Sequence, residues 1–141
     1  MSPLTFLAPL LAMAAITFVL MFGMVITRRR AVMEKLTDPK DLLVRGGNNP
    51  WPPQAAQFSD AYQNALELPV LFYAVIILAF ITRQADYVFV LLAWLFVLCR
   101  AVQAYVHTTS NTRKYRSYAF RAGALALVVV WAWFAIRLLS A

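Results

Sequence analysis

The stretch AYQNALELPVLFYAVIILAFIT, residues 61–82, decides how the chain is to be read. From Val70 to Ile81 it holds only apolar and aromatic side chains. With the residues just before it, it is long enough to cross a bilayer as a helix, which needs ~20 residues. Its first half is not apolar. Asp60, Gln63, Asn64 and Glu67 stand at i, i+3, i+4 and i+7 and share one helix face. A carboxylate in such a segment costs roughly 2.5–3.5 kcal/mol at mid-membrane, so it faces a partner or a wet cavity. Glu67 sits toward the end of the run, where the cost is smaller. Its plain structural reading is an ion pair with an arginine, Arg100 before Arg30, that holds a bundle together. Pro69 follows two residues later and is expected to loosen the helix and free a carbonyl, although a packing kink would account for it equally well.

Working outward, three more apolar runs appear. The four spans are expected at about residues 4–27, 61–82, 87–107 and 117–139, in a single domain covering 1–141, with a polar loop over 28–60. This is an all-α membrane protein built as a four-transmembrane-helix bundle. Composition agrees: 62% of the 141 residues are hydrophobic and only 13% charged. Ordinary soluble domains have about 45–50% apolar and about 25% charged residues. The first run lacks the basic leading region and cleavage site of a signal peptide and ends in Arg28-Arg29-Arg30, the flank of a retained span. A single Cys99 and a single His107 exclude an internal disulfide framework and leave no thiolate or imidazole zinc set, so no metal site is expected. The net charge of +7 carries no nucleic-acid motif with it.

The basic residues divide unevenly. Arg28, Arg29, Arg30, Lys35, Lys40 and Arg45 lie in the first loop, and Arg113, Lys114 and Arg116 in or beside the third. The opposite side has Arg83 and Arg137. The positive-inside rule then puts loops one and three in the cytoplasm and both termini outside, as in a bacterial inner membrane. Within the first loop, Asp38 is expected to cap a short helix that opens at Pro39 and ends at Gly46-Gly47, with an ordered turn at Asn48 to Pro53 and Trp51 near the interface. Small residues Ala119, Gly123 and Ala126 allow close packing of the fourth span.

Polar residues on three spans converge at the cytoplasmic depth. On the third, Arg100, Gln103 and His107 share a face; on the fourth, Arg113, Arg116 and Phe120 do, with Ser117 beside Arg116. Arg30 can join from the first. Each has a plainer reading. Arg100 can snorkel to headgroups, His107 can be an interfacial hydrogen-bonder, and the basic cluster can contact lipid phosphate. Together they suit a small zwitterion with excess negative charge, its ammonium on the carboxylate and its carboxylates on arginines. No serine or cysteine has a plausible base, so any nucleophile must come from a cosubstrate.

Asn64-Ala65-Leu66-Glu67-Leu68-Pro69 resembles the N-x-x-E motif, followed by proline, of the MAPEG family, the membrane-associated proteins in eicosanoid and glutathione metabolism. The first loop, Arg100, and Arg116-Ser117 are also similar in spacing, and the likeness covers nearly the whole chain. The resemblance implies a homotrimer in membrane lipid, with glutathione as cosubstrate and a lipophilic small molecule as acceptor. By that resemblance Asn64 and Glu67 contact glutathione, Glu67 at its amino group. Arg30 and Arg100 hold carboxylates, with His107 nearby, and Arg116, with Ser117, stabilises the thiolate. Asp60 departs from the family pattern, which carries arginine four residues before the asparagine in eicosanoid-type members. Gln63 and His107 also depart from it. The function expected is a glutathione-dependent transferase or peroxidase acting on lipophilic electrophiles. The alternative is a MAPEG-fold protein without glutathione chemistry, binding lipid or another small anion. A small-cation exporter fits less well, because the first span holds no acid and basic residues surround Glu67.

The charge division makes a direct prediction. A periplasmic-type reporter fused after Ala141 should be active, and one that works only in the cytoplasm should be silent; the opposite result would reverse the topology.

Overall fold

The computed structural model describes residues 2–43 and 50–141. Helix α1 spans Pro3–Met33. The Ser2 hydroxyl accepts from the Thr5 N–H at 3.2 Å, and Pro3 occupies the first turn, where its missing donor costs nothing. Helices α2, Pro53–Glu67, and α3, Pro69–Ile81, form one span divided at Leu68. Leu68 keeps helical dihedrals (φ −62°, ψ −39°), but Pro69 has no N–H to give to the preceding turn. Helix α4 is Tyr87–Thr108 and α5 is Arg113–Leu139. The described residues contain no strand, and the four rods are each long and apolar enough to cross a membrane.

The helices outrun their apolar stretches. Helix α1 carries Arg28, Arg29 and Arg30 on a helical extension, and α2 begins at Pro53, so the first connection is 34–52 rather than 28–60. Arginine is a good helix former, and nothing in that sequence stops the ladder until Lys35 turns at φ 54°. Asp38 does not cap an α-helix. Its Oδ1 accepts from the Lys40 N–H at 2.9 Å, closing a local turn ahead of a 3₁₀ turn at Asp41–Leu43. The stop expected at Gly46-Gly47 and the start of the turn at Asn48-Asn49 lie outside the described residues. Trp51 lies beneath the Arg28 guanidinium, 4.9 Å from its ring centroid.

Packing is graded along the bundle. At one end Phe6 of α1 stacks on Phe80 and Phe89, and deeper in, Phe72 stacks on Phe96 at 4.6 Å. Asp86 ties that end together. It caps α4 through the Phe89 N–H at 2.8 Å, accepts from Trp133 Nε1 at 3.1 Å and faces Arg137 Nε at 3.6 Å. Large apolar side chains such as Phe22, Leu91, Leu98 and Val128 point outward, as lipid-facing positions must. The other end, where α1 finishes and α2 begins, is polar. There Arg28 Nη2 donates to Ser59 Oγ at 2.6 Å, joining α1 to α2. The small residues of α5 pack inside the chain: a Cβ on Gly123 would sit 3.5 Å from the Cys99 Cβ on α4.

Gly23 marks a close approach of α1 to α2. A Cβ there would overlap the Phe58 ring of α2. Gly23→Ala should therefore lower thermal stability in detergent by about 1–3 kcal/mol, as overpacked sites do. Adding Phe58→Ala should restore part of the loss; an unchanged midpoint in Gly23→Ala alone would show that the ring moves aside freely.

Candidate functional site

A cleft of about 480 Å³ opens at the polar end, with α2 on one wall, α5 on the other and α4 as floor. Asp60, Gln63, Asn64 and Glu67 come from α2, as their shared face requires. Gln103 and His107 come from α4, and Arg113, Arg116, Ser117 and Phe120 from α5. Asn64, Glu67, His107, Arg116 and Ser117, all singled out from the sequence, thus meet in one cavity. It holds two carboxylates, Asp60 and Glu67, facing two guanidiniums.

Arg116 is held in place from one side. Its Nη1 donates to Asn111 Oδ1 at 2.7 Å and to His107 Nε2 at 3.3 Å. Arginine is only ever a donor, so His107 must present the unprotonated face of Nε2 there. Nη2 and Nε of Arg116 have no partner among the described residues, which leaves that edge for an anion in the cleft. His107 is 3% exposed. It is a buried prop for Arg116 rather than a group at the headgroups.

Asn111 went unnoticed in the sequence. It adopts φ 49°, the left-handed region that asparagine tolerates best after glycine, and its N–H donates to Val106 O at 2.7 Å to close α4. The same residue both turns the chain into α5 and orients Arg116. The signal was the Ser110-Asn111-Thr112 turn just ahead of a helix, which carries neither charge nor periodicity.

Two expected members stand apart. Arg100 is 4% exposed and lies beneath the cleft wall. Its Nη2 donates to the Asn64 carbonyl at 2.6 Å and its Nη1 to Gln103 Oε1 at 2.5 Å. No arginine lies within 4.0 Å of Glu67, so the ion pair expected for it does not form among the described residues. Helix geometry explains this. The last turn of α2 brings the Asn64 carbonyl within reach of α4, and the guanidinium is taken up there, at the negative end of the helix. Arg30 points away from the cleft; its side chain is 69% exposed and Nε lies 3.8 Å from Glu34, one helical turn on. Within one chain, the carboxylate-holding role implied for Arg30 has no route to the cavity.

Four membrane-length helices define a multi-pass integral membrane protein, with a charged cleft at one end. The chain belongs to the MAPEG family, whose model matches residues 6–136. No curated protein and no solved structure gives a significant match.

The dual role of Asn111 can be separated. Asn111→Gly keeps the left-handed turn and releases Arg116, whereas Asn111→Ala loses both. Asn111→Ala should be the less stable of the two in thermal unfolding, by about 1–2 kcal/mol; equal midpoints would remove the backbone from the argument.

Proposed function

We propose that the chain is a glutathione-dependent transferase or peroxidase acting on lipophilic electrophiles that reach the cleft from the bilayer. The observation that carries this reading is Glu67 and Arg116 on facing walls of one cavity, each with its functional edge uncommitted. Family members generally use glutathione. In this reading Glu67 takes the ammonium of the γ-glutamyl residue and Arg116 stabilises the thiolate. With the thiol proton lost to water, the sulfur attacks the electrophile and forms the C–S bond; in a substitution the bond to the leaving group breaks and its pair departs with that group, and in an addition the displaced pair takes a proton from solvent. His107 accepts from Arg116, which disposes it to position the guanidinium rather than to act as the base. Ser117 adds a hydroxyl beside the same sulfur. In this reading the protein works as a homotrimer, with both termini outside and the cleft on the cytoplasmic side.

A second reading keeps the fold and drops the chemistry. Asp60, a second carboxylate on the α2 wall, favours it, because a ligand with two carboxylates meets repulsion there. The protein would then bind lipid or another small anionic ligand, one other than a dicarboxylate, without turnover.

The two key residues act on different charges, and this gives the test. The charge on sulfur develops during activation, whereas the ammonium is present throughout. Arg116→Ala should abolish the thiolate absorbance of bound glutathione and cut turnover of a generic electrophile by ~10²–10³ while leaving binding nearly intact. Glu67→Ala should weaken binding roughly 10-fold to 100-fold, the range for a hydrogen bond to a charged group. If wild type shows neither a thermal shift nor a thiolate band with glutathione, the transferase reading fails and the second one stands.

A further inference from the structure

The contact between His107 and Arg116 constrains a proton as well as a side chain. Arg116 Nη1 lies 3.3 Å from His107 Nε2 and has only N–H groups to offer. Nε2 must therefore be bare, and a neutral imidazole with a bare Nε2 carries its proton on Nδ1. Free histidine in water holds the proton mainly on Nε2, so the contact selects the less common form.

A proton taken up at Nε2 reverses the contact. The imidazolium donates at both nitrogens, so an N–H would face the N–H of Arg116 and two positive charges would touch. His107 is 3% exposed and has no path to water. Arg116 is half-buried and is the partner that moves, with Asn111 Oδ1 its one remaining hold among the described residues.

The charged groups around His107 come from three helices. Asp60 and Glu67 on α2 and Arg113 and Arg116 on α5 share its cleft, and Arg100 on α4 shares a small void on its inner side. Helix α1 brings only apolar side chains to that void. In a homotrimer a neighbouring copy adds charges of its own. All of these move the pH at which the proton arrives. None changes the sign, because the acceptor role of Nε2 is dictated by a contact inside one chain.

Building on the thiolate role proposed for Arg116, we propose that His107 is a positioning residue that works only as the neutral Nδ1–H tautomer, and that protonation at Nε2 releases Arg116 and silences the cleft from the acid side. The imidazolium does not take over, since a side chain so buried has almost no surface from which to reach a sulfur in the cleft. The same logic bars His107 from accepting the thiol proton. Doing so would dislodge the guanidinium that stabilises the thiolate formed in that step.

His107 is the single histidine of the chain, so ring nitrogen-15 spectra of untagged protein in detergent report on it alone. Near neutral pH, wild type should show the proton on Nδ1, and Arg116→Ala should shift it toward Nε2. A proton on Nε2 in wild type, or the same tautomer in Arg116→Ala, overturns the proposal. A second measurement follows the thiolate band of bound glutathione as pH falls. In wild type, protonation of His107 and of the sulfur reinforce each other, so the band should fall more steeply than a one-proton curve. His107→Gln supplies an acceptor, Oε1, that does not titrate; it should retain the band and lose it along a one-proton curve. His107→Leu supplies none and should cost about 10²-fold in turnover, as loss of an electrostatic donor does. The same slope and midpoint in wild type and His107→Gln would sink the switch. A wild type with no thiolate band at any pH fails the glutathione reading instead, and the ring spectra still decide the role of His107.

Discussion

The hydrogen bond from Arg100 to the Asn64 carbonyl is the constraint on which the site depends. It joins α4 to the last turn of α2, just before Pro69 interrupts the backbone ladder. In a membrane-buried bundle the guanidinium could not be left alone, because a buried charge without partners costs several kcal/mol or more where no water reaches it. The Asn64 carbonyl takes one of its N–H groups and Gln103 takes another. The end of α2 is thereby held against α4 at a set rotation, with its polar face turned toward α5.

The functional character of the cleft follows from that bond. Because Arg100 spends its N–H groups on a backbone carbonyl and on Gln103, it acts on Glu67 through charge alone and makes no ion pair with it. Glu67 and Asp60 keep their charge available on one wall. On the other wall a second fixed arrangement works in the opposite sense: Asn111 and His107 hold one edge of Arg116 and leave the rest of the guanidinium free. The result is a cavity with an acidic side and a basic side, each backed by groups already satisfied. Positioned charges of this kind need little reorganisation when a ligand's charge changes, which is what stabilising a developing thiolate requires.

Much of this was legible from residue order. The helical spacing of Asp60, Gln63, Asn64 and Glu67 placed them on one face, and they line one wall. The spacing of Gln103 and His107, and of Arg113, Arg116 and Phe120, did the same for the floor and the opposite wall. Pro69 was read as a break in the second span, and α2 and α3 divide there. The readings that failed concern partners. Glu67 was paired with Arg100 on charge alone, yet the guanidinium goes to a carbonyl, a group that every residue possesses and that no pattern marks. Arg30 was added to the cleft because it ends the first span; within one chain α1 continues as helix and carries it outside, beside Glu34. Asn111 escaped because a turn asparagine looks the same whether or not its side chain serves a neighbour.

Residue order by itself determined that this chain crosses a membrane four times as helices, and which face of each helix is polar. Both follow from local rules: a backbone in lipid must satisfy its own hydrogen bonds, and a 3.6-residue turn assigns every side chain a direction. Only the tertiary structure decided which charges are spent and which remain free. That choice depends on how far each helix extends and how α2, α4 and α5 are rotated against one another, and it is made by distances of a few ångströms between residues far apart in the chain.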